Sequence, residues 1–598
     1  MENRNNTPYE TKPMGFGKTM LASAVGFIIG TTVLSVLSFL LCMGALVSAL
    51  KSANSDSRPI VAKNFVVELN ISGSITEAKP NELATLFSDE ATSCMEDMLN
   101  AIDHAGDDER VKALYLHFGG STLSWAQAEE LSEALTLYKE SGKPVIAYGE
   151  AMTQPEYYLA TAADKVNLHP SGIVDFRGIG AEAMFYKGLL DKLGVHVELI
   201  RPTSCAYKSA GETYTRTDMS DANREQVRSY INSIWNYVVG VMADNRGLSP
   251  QMLNSIADNL GGYLAEDALK SHLVDSLCFA QDIKTIMAKE YEATKIVKAK
   301  RYCDSFTKKE KDYKIAVIYA EGEVVPGKDN GTHTAVYGDE IVKALTDAAK
   351  DKKVKAIVLR VNSPGGAVTA SESMTHAVVE AKKEKPVIIS MSGLAASAGY
   401  EISCFGTKIV AHPTTLTGSI GVFAAIPEVG TLLRQKLGIT TDTVMTNRNS
   451  TGLTIARPLS NDARAMMQKN VEDFYVTFTQ RVADGRGLTR EYVDSIARGR
   501  VWTGAQAKEI GLVDTLGGLT LALHIAAEEA EVDFDECMVT KLPAEKDLWT
   551  QLKQKMNEDE EEALKARLNA IIPFYSDLES WSKMEPLQAR LPFAININ

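Results

Sequence analysis

The second half of the chain repeats the first half, and this duplication constrains the fold more than any other feature. The segment 110–117 (RVKALYLH) returns at 353–360 (KVKAIVLR), about 240 residues later. Five further pairs keep the same order and nearly the same offset: 60–74 with 315–323, 144–146 with 386–388, 192–195 with 436–439, 243–248 with 483–488, and 273–275 with 512–514. Six matches in one order indicate that the chain contains two copies of one folding unit.

Each copy alternates short apolar strands with amphipathic helical segments, of which 126–138 and 369–382 are examples. This alternation predicts a parallel sheet with right-handed crossovers, and therefore an α/β fold. We place the first domain at residues 55–294 and the second at 315–598, the latter with a C-terminal helical tail. Between them, residues 295–314 carry eight Lys or Arg and little apolar periodicity. They indicate a basic, solvated linker or, alternatively, a segment that binds an anionic membrane surface.

An uncharged segment near the N-terminus predicts a membrane anchor. Residues 19–50 contain no charged side chain, and a spanning helix needs only about 20 apolar residues. The apolar core of a cleaved secretory signal is roughly 7–15 residues long, so an uncleaved transmembrane helix fits this segment better. Residues 1–18 then form a separate N-terminal segment. Because basic residues are nearly balanced on the two sides, charge does not decide the orientation.

The charge and the cysteine content argue against two classes of protein. A formal charge of −14 and a pI near 5.3 argue against nucleic acid as the main partner. The seven cysteines are scattered, odd in number and form no Cys-x-x-Cys pair. They therefore indicate neither a zinc site nor a disulfide framework.

A serine in the second copy occupies a position suited to a nucleophile. The β-branched segment 387–389 predicts a buried strand, and the Ala-rich sequence after it predicts a helix that begins just past the strand. Ser397 lies at this junction, where the amides of a first helical turn lack partners and carry the positive end of the helix dipole. Upstream, Gly365-Gly366 follows another predicted strand and lets backbone N–H groups approach a ligand. Such amides stabilise the oxyanion that a serine nucleophile creates.

The general base that a serine nucleophile needs is not evident near Ser397. His412 ends a predicted strand, but no accompanying Asp pattern stands out, and we interpret it as structural. A lysine is the alternative base, provided that burial lowers its pKa by several units. The second copy has no lysine from 437 to 468, whereas the matching loop of the first copy carries Lys208. Conversely, the first copy has no serine equivalent to Ser397, so the copies together predict one composite site, within one chain or between neighbours.

The motifs SPGG at 363–366, AASAGY at 395–400, YKSA at 207–210 and TGSIG at 417–421 resemble those of the signal peptide peptidase A family in its long, duplicated form. The resemblance implies two Clp/crotonase-like α/β domains after one N-terminal transmembrane helix. It also implies site roles: Ser397 is the nucleophile, Lys208 the general base and proton donor, Ser419 the residue that orients Lys208, and the N–H groups of Gly366 and Ala398 the oxyanion hole. Family members often have glycine where Ala398 stands, and alanine donates the same N–H.

The function that the resemblance implies is a membrane-anchored serine endopeptidase that degrades signal peptides already released by signal peptidase. It further implies a bacterial cytoplasmic membrane, a catalytic body on the periplasmic side and a homotetramer, with no metal or organic cofactor. Two alternatives remain. A crotonase-type acyl-CoA enzyme predicts a coenzyme A site and a carboxylate base, which are not evident in the sequence. A catalytically inactive membrane scaffold is the other.

Overall fold

The computed structural model describes residues 62–79, 92–293, 295–306, 311–328, 335–543 and 588–590, together with Ile60 and six isolated positions between residues 20 and 38. Both repeats belong to one compact unit, residues 62–300 and 308–598, and residues 1–61 with 301–307 form a second unit. Within these described residues no helix has the length and apolar character needed to cross a membrane. The predicted N-terminal segment 1–18, nearly all of the predicted anchor 19–50 and the predicted C-terminal helix lie outside the described residues.

The first repeat comprises residues 62–298. Its strands are β1 (Phe65–Thr76), β2 (Thr92–Cys94), β3 (Val111–Ser121), β4 (Val145–Met152), β5 (Lys165–Val174), β6 (His196–Ile200), β7 (Ser276–Leu277) and β8 (Lys295–Lys298). Its helices are α1 (Met95–Asp107), α2 (Trp125–Lys139), α3 (Gln154–Ala160), α4 (Lys187–Leu193), α5 (Glu212–Thr215), α6 (Asp221–Arg246), α7 (Pro250–Asp258), α8 (Ala265–Lys270) and α9 (Ala280–Glu290). A short helix, α10 (Ala299–Asp304), follows it.

The second repeat comprises residues 313–543. Its strands are β9 (Tyr313–Glu321), β10 (Glu323–Val325), β11 (Ala335–Tyr337), β12 (Val354–Ser363), β13 (Gly365–Ala367), β14 (Val387–Ala396), β15 (Lys408–Ala411), β16 (Leu416–Gly418), β17 (Ala424–Glu428), β18 (Val501–Thr503), β19 (Thr515–Leu516) and β20 (Cys537–Leu542). Its helices are α11 (Gly338–Lys350), α12 (Val368–Glu384), α13 (Ala398–Glu401), α14 (Asn461–Arg486), α15 (Arg490–Ile496), α16 (Gly504–Glu509) and α17 (Leu519–Glu529). One further strand, β21 (Gln588–Arg590), lies near the C-terminus.

The main sheets of the two repeats have the same strand order. In the first repeat the order is β8-β1-β3-β4-β5-β7, and every neighbouring pair is parallel. In the second repeat the order is β20-β9-β12-β14-β15-β19, and these pairs are parallel too. Strands buried on both faces explain the continuous apolar segments in the sequence. The predicted α/β fold and its duplication are therefore confirmed.

Three boundaries differ from those expected. The sequence predicts a strand over residues 60–71, but β1 begins at Phe65 and continues to Thr76, because residues 74–76 pair with β2. β14 extends through the alanines that were expected in a helix, because 394–396 pair with β16, and the helix begins only at Ala398. Residues 295–298, placed in the linker, form β8 beside β1. Lysines at both ends of β8 suit a strand at the edge of a sheet, and the two adjacent apolar residues between them are too few to predict a strand.

A buried ion cluster joins the two repeats. Arg360, on β12, is 1% exposed, and its guanidinium donates to Glu77 (Nε to Oε2, 2.9 Å) and to Glu130 (Nη2 to Oε2, 2.5 Å), both from the first repeat. Gln127 donates from its amide to the second oxygen of Glu77 (2.8 Å). Removing one partner of a buried ion pair typically costs about 3–5 kcal/mol, because the other charge stays buried. The cluster therefore fixes how the repeats face each other.

Candidate active site

Ser397 lies at the tight junction between β14 and α13. Its φ is 58° and its ψ is −117°, a backbone conformation that residues other than glycine rarely adopt. The Ser397 N–H donates to the Gly418 carbonyl (2.8 Å), which holds the turn against the end of β16. The next residue, Ala398, opens the short helix, so its N–H belongs to a first helical turn with no i−4 partner inside the helix. The local geometry thus presents the serine hydroxyl beside a backbone donor.

Lys208 reaches this serine through a strand pairing between the repeats. β6 of the first repeat pairs antiparallel with β17 of the second, with Ile200 opposite Ala424. The loop that follows β6 carries Lys208, and the loop that precedes β17 carries Ser419. The pairing brings these two loops together within a single chain.

Three groups contact the Lys208 amine. The amine Nζ lies 2.8 Å from Ser397 Oγ, 2.9 Å from the Ser419 carbonyl oxygen and 3.0 Å from Ser419 Oγ. Lys208, Ser397 and Ser419 all have no measurable exposure. A neutral amine has two N–H groups and one lone pair, so it can donate to both Ser419 oxygens and accept from the Ser397 hydroxyl. The arrangement can therefore move a proton from serine to lysine.

The charge state of Lys208 suits this transfer. Burial lowers the pKa of the Lys208 amine from 10.5 to about 7, although the nearby Cys205 thiol acts in the opposite direction. A lysine in water has a pKa near 10.4 and is almost entirely protonated at neutral pH. With the pKa lowered, a large fraction of the amine is neutral near pH 7 and able to accept a proton.

A loop of the second repeat closes over Lys208, and no motif in the sequence marks this contact. Gly499 has a φ of 80°, and a Cβ there would lie 2.5 Å from the Cβ of Lys208. Its N–H donates to the Ile420 carbonyl (2.8 Å), while the Tyr207 N–H donates to the Arg498 carbonyl (3.1 Å). A glycine is required where two backbones approach this closely. Gly499 thus allows the loop that carries Lys208 to pack against the loop that carries Ser419.

Gly366 lies on β13, whose backbone contacts α13 and so borders the same site. A Cβ at Gly366 would lie 2.1 Å from the Val324 carbonyl oxygen, so only glycine fits beside β10. The strand β13 also pairs antiparallel with β21, with Gly366 opposite Ala589. An extended segment near the C-terminus therefore runs along the glycine strand. The five residues predicted for the site, Ser397, Lys208, Ser419, Gly366 and Ala398, thus lie on elements that meet at one place.

His412 lies apart from this arrangement. It follows β15, as predicted, and faces glutamates of α2 in the first repeat rather than Ser397. Burial lowers the pKa of His412 to about 3, helped by the charge of Arg360, so its ring is neutral. The six cysteines among the described residues, all but Cys42, are free thiols.

Comparison with known proteins agrees with this geometry. The chain matches Peptidase family S49 over residues 138–294 and 379–533, one match in each repeat, and Clp protease over residues 308–417. It is 40% identical to "Protease 4" of Salmonella typhi over 450 residues, which are 73% of this chain and 72% of that protein. It is 32% identical to "Protease 4" of Haemophilus influenzae, covering 72% of each chain. It is 28% identical to "Serine protease SPPA, chloroplastic" of Arabidopsis thaliana, covering 72% of this chain and 65% of that one.

These matches confirm the family resemblance that was inferred from the motifs. They also confirm the serine peptidase activity that was predicted for the chain. The family matches cover corresponding parts of the two repeats, which agrees with the shared strand order. The chain therefore belongs to peptidase family S49 and carries that family's domain in two copies.

Proposed function

We propose that Ser397 and Lys208 form the catalytic dyad of a serine endopeptidase. The observation that carries this proposal is the 2.8 Å contact between Lys208 Nζ and Ser397 Oγ, both of which belong to fully buried residues. The neutral amine takes the hydroxyl proton as Oγ bonds to the scissile carbonyl carbon. When the C–N bond breaks, the ammonium returns this proton to the leaving amine. The same amine then activates the water that releases the acyl group.

The oxyanion of the tetrahedral intermediate is assigned to the N–H groups of Gly366 and Ala398. Support comes from their positions: Gly366 lies on β13, which contacts α13, and Ala398 opens α13 directly after Ser397. Backbone donors that are already in place stabilise developing negative charge without reorganising during the reaction. Ser419 is assigned as the positioning residue, because its two oxygens receive both N–H groups of the neutral amine.

Peptide substrates are expected to bind in extended form along β13. A strand that pairs with an exposed edge gains main-chain hydrogen bonds whatever its sequence, which suits a peptidase with many substrates. The antiparallel pairing of β21 with this edge supports the same mode for a substrate. We propose apolar peptides, and in particular signal peptides already released from their proteins, as the physiological class.

The remaining features of the proposal concern the setting of the enzyme. Residues 19–50 are uncharged and are proposed as a single transmembrane anchor. With the N-terminal segment in the cytoplasm, the catalytic unit of a bacterial protein is expected on the periplasmic side of the cytoplasmic membrane. A homotetramer is expected as well, and light scattering of the detergent-solubilised full chain measures it directly.

Mutation of each dyad member tests the proposal. Ser397→Ala and Lys208→Ala are each expected to abolish cleavage of a fluorogenic apolar peptide by the full chain. A serine-acylating inhibitor is expected to modify Ser397 alone, as measured by peptide mass spectrometry. In the wild type, kcat/KM should rise with pH through an apparent pKa near 7, because the reactive form is the neutral amine.

Two matched variants control for simple damage to the fold. Ser403→Ala removes a buried hydroxyl six residues from Ser397, where Oγ donates to the Gly399 carbonyl (2.6 Å). Lys143→Ala removes a lysine that donates to carbonyls of the first repeat. Both are expected to retain activity. Full activity in either dyad variant contradicts the proposal.

A further inference from the structure

A second cluster of polar side chains lies where the two repeats meet, away from Ser397 and Lys208. Glu129 and Glu133 are four residues apart on α2 and therefore share one face of that helix. His412 approaches this face from the second repeat, with Nδ1 4.0 Å from Glu129 Oε1 and 3.7 Å from Glu133 Oε1. One oxygen or nitrogen from each of the three lies within 4.8 Å of the others.

The histidine in this cluster lacks the partners that a buried polar group needs. His412 has no exposure, and neither ring nitrogen has a hydrogen-bond partner in the part of the chain that the structure describes. Glu129 is 1% exposed, and its Oε1 likewise has no such partner among those residues. Buried polar groups are almost always paired, and each exception calls for an explanation such as an ion. Here both unsatisfied groups face the same small space.

The separations in the cluster are slightly longer than those around a cation held by all three side chains. Ligand atoms bound to Zn²⁺ at 2.0–2.1 Å in a tetrahedron lie about 3.3 Å from each other. The separations of 3.7 and 4.0 Å from His412 Nδ1 therefore need to shrink by about half an ångström. The carboxylate oxygens of Glu129 and Glu133, which lie within 4.8 Å of each other, need to approach by at most about 1.5 Å. We propose that Glu129, Glu133 and His412 bind a divalent transition-metal cation, with Zn²⁺ as the best match to a set of one imidazole and two carboxylates.

Neighbouring groups support this assignment. The Thr414 hydroxyl donates to Glu129 Oε2 (2.8 Å) and leaves Oε1 directed at the cluster, and the Tyr237 hydroxyl faces the same carboxylate. Hydrogen bonds of this kind orient metal-binding carboxylates. On the other side of the ring, Nε2 lies 3.9 Å from Glu130 Oε2, a carboxylate that Arg360 already binds. The arrangement leaves Nδ1 as the ligand atom.

The position of the site indicates what the cation does. The Glu133 side chain is 49% exposed, so the ion has a path from solvent and room for a water as fourth ligand. Two ligands belong to the first repeat and one to the second. The bound cation therefore clamps the interface across which Lys208 meets Ser397, and it takes no part in the peptidase chemistry.

Metal binding by the full chain tests this proposal. After removal of metals with EDTA, calorimetric titration with Zn²⁺ is expected to show one saturable site, accompanied by a higher unfolding temperature, because the ion binds only the folded state. Glu133→Gln removes a solvent-accessible ligand with little risk to folding. It is expected to weaken Zn²⁺ binding by at least about tenfold, since loss of groups that merely orient ligands already costs 10–100-fold.

Glu140→Gln is the matched control, because it removes an exposed carboxylate just after the same helix, outside the cluster. It should bind Zn²⁺ as the wild type does. Co²⁺ used as a probe should give d–d absorption without the thiolate charge-transfer bands that cysteine ligands produce. The proposal is overturned if the wild type shows no saturable Zn²⁺ site, if Glu133→Gln binds as tightly as Glu140→Gln, or if thiolate bands appear.

Discussion

Replacing Lys208 by methionine should change the stability of the protein in a manner that depends on pH. Methionine keeps most of the aliphatic side chain but cannot be charged. Burial lowers the pKa of Lys208 from 10.5 to about 7, so burying the protonated amine costs about 5 kcal/mol of folding free energy. Three polar contacts within 3.0 Å offset part of this cost, at about 1 kcal/mol each. At pH 7 Lys208→Met should therefore be more stable than the wild type by about 2 kcal/mol.

The sign of the pH effect follows from the lowered pKa. Between pH 7 and pH 10.5 the unfolded chain binds a proton at this lysine that the folded chain does not, so wild-type stability rises with pH in this window. From pH 7 to pH 9 the wild type should gain about 2 kcal/mol relative to Lys208→Met, because one extra proton on the unfolded chain is worth at most about 1.36 kcal/mol for each unit of pH. Below pH 7 both states bind the proton, and the difference should become constant.

Urea unfolding at pH 7, 8 and 9, followed by tryptophan fluorescence, measures this gain as a change in midpoint multiplied by the m-value. The exposed Lys352, replaced by methionine, serves as a control that should show no such gain. Lys208→Met should also be inactive at every pH. A stability difference that stays constant from pH 7 to pH 9 would refute the claim that the folded state holds a neutral lysine.

Three further outcomes are expected. Ser419→Ala removes one of the oxygens that receive the Lys208 amine (3.0 Å) and should lower kcat about tenfold with KM unchanged, as steady-state kinetics will measure. Gly366→Ala places a Cβ 2.1 Å from the Val324 carbonyl oxygen, which displaces the proposed oxyanion donor and should lower kcat by at least about a hundredfold while circular dichroism stays native. Truncation after residue 587 removes β21 and should lower KM for an apolar peptide without changing kcat, because β21 pairs with the proposed substrate edge; an unchanged KM contradicts that competition.

Much of the fold could be predicted because the same sequence patterns occur in both repeats in the same order. Continuous β-branched segments such as 387–389 marked central parallel strands, and the order of the matched segments indicated the order of elements in each repeat. The small edge strand β8 was missed because its lysines mask the two apolar residues between them. The boundary after β14 was misplaced because Ala395 and Ala396 favour helices locally, whereas pairing with β16 holds them in a strand.

Motifs identified the residues that are proposed for the site, but they could not predict the arrangement of these residues. The sequence shows Lys208 and Ser397 in different repeats, and only the pairing of β6 with β17 places both loops in one chain's site. The close approach of Gly499 to Lys208 joins residues almost three hundred positions apart, and a lone glycine between arginines carries no specific signal. His412 was interpreted as structural, but nothing local in the sequence indicated that glutamates of the other repeat would face it.

The ion cluster around Arg360 has a consequence for biosynthesis. Arg360 lies 283 residues after Glu77 and 230 residues after Glu130. At 5–20 residues per second, roughly 10–50 s pass between synthesis of Glu130 and of its partner. During that interval two carboxylates destined for the interior have no guanidinium, so their surface stays hydrated and charged. The first repeat therefore exposes a charged surface at the position of the cluster while it emerges. This surface resists aggregation until the strand that carries Arg360 has been synthesised.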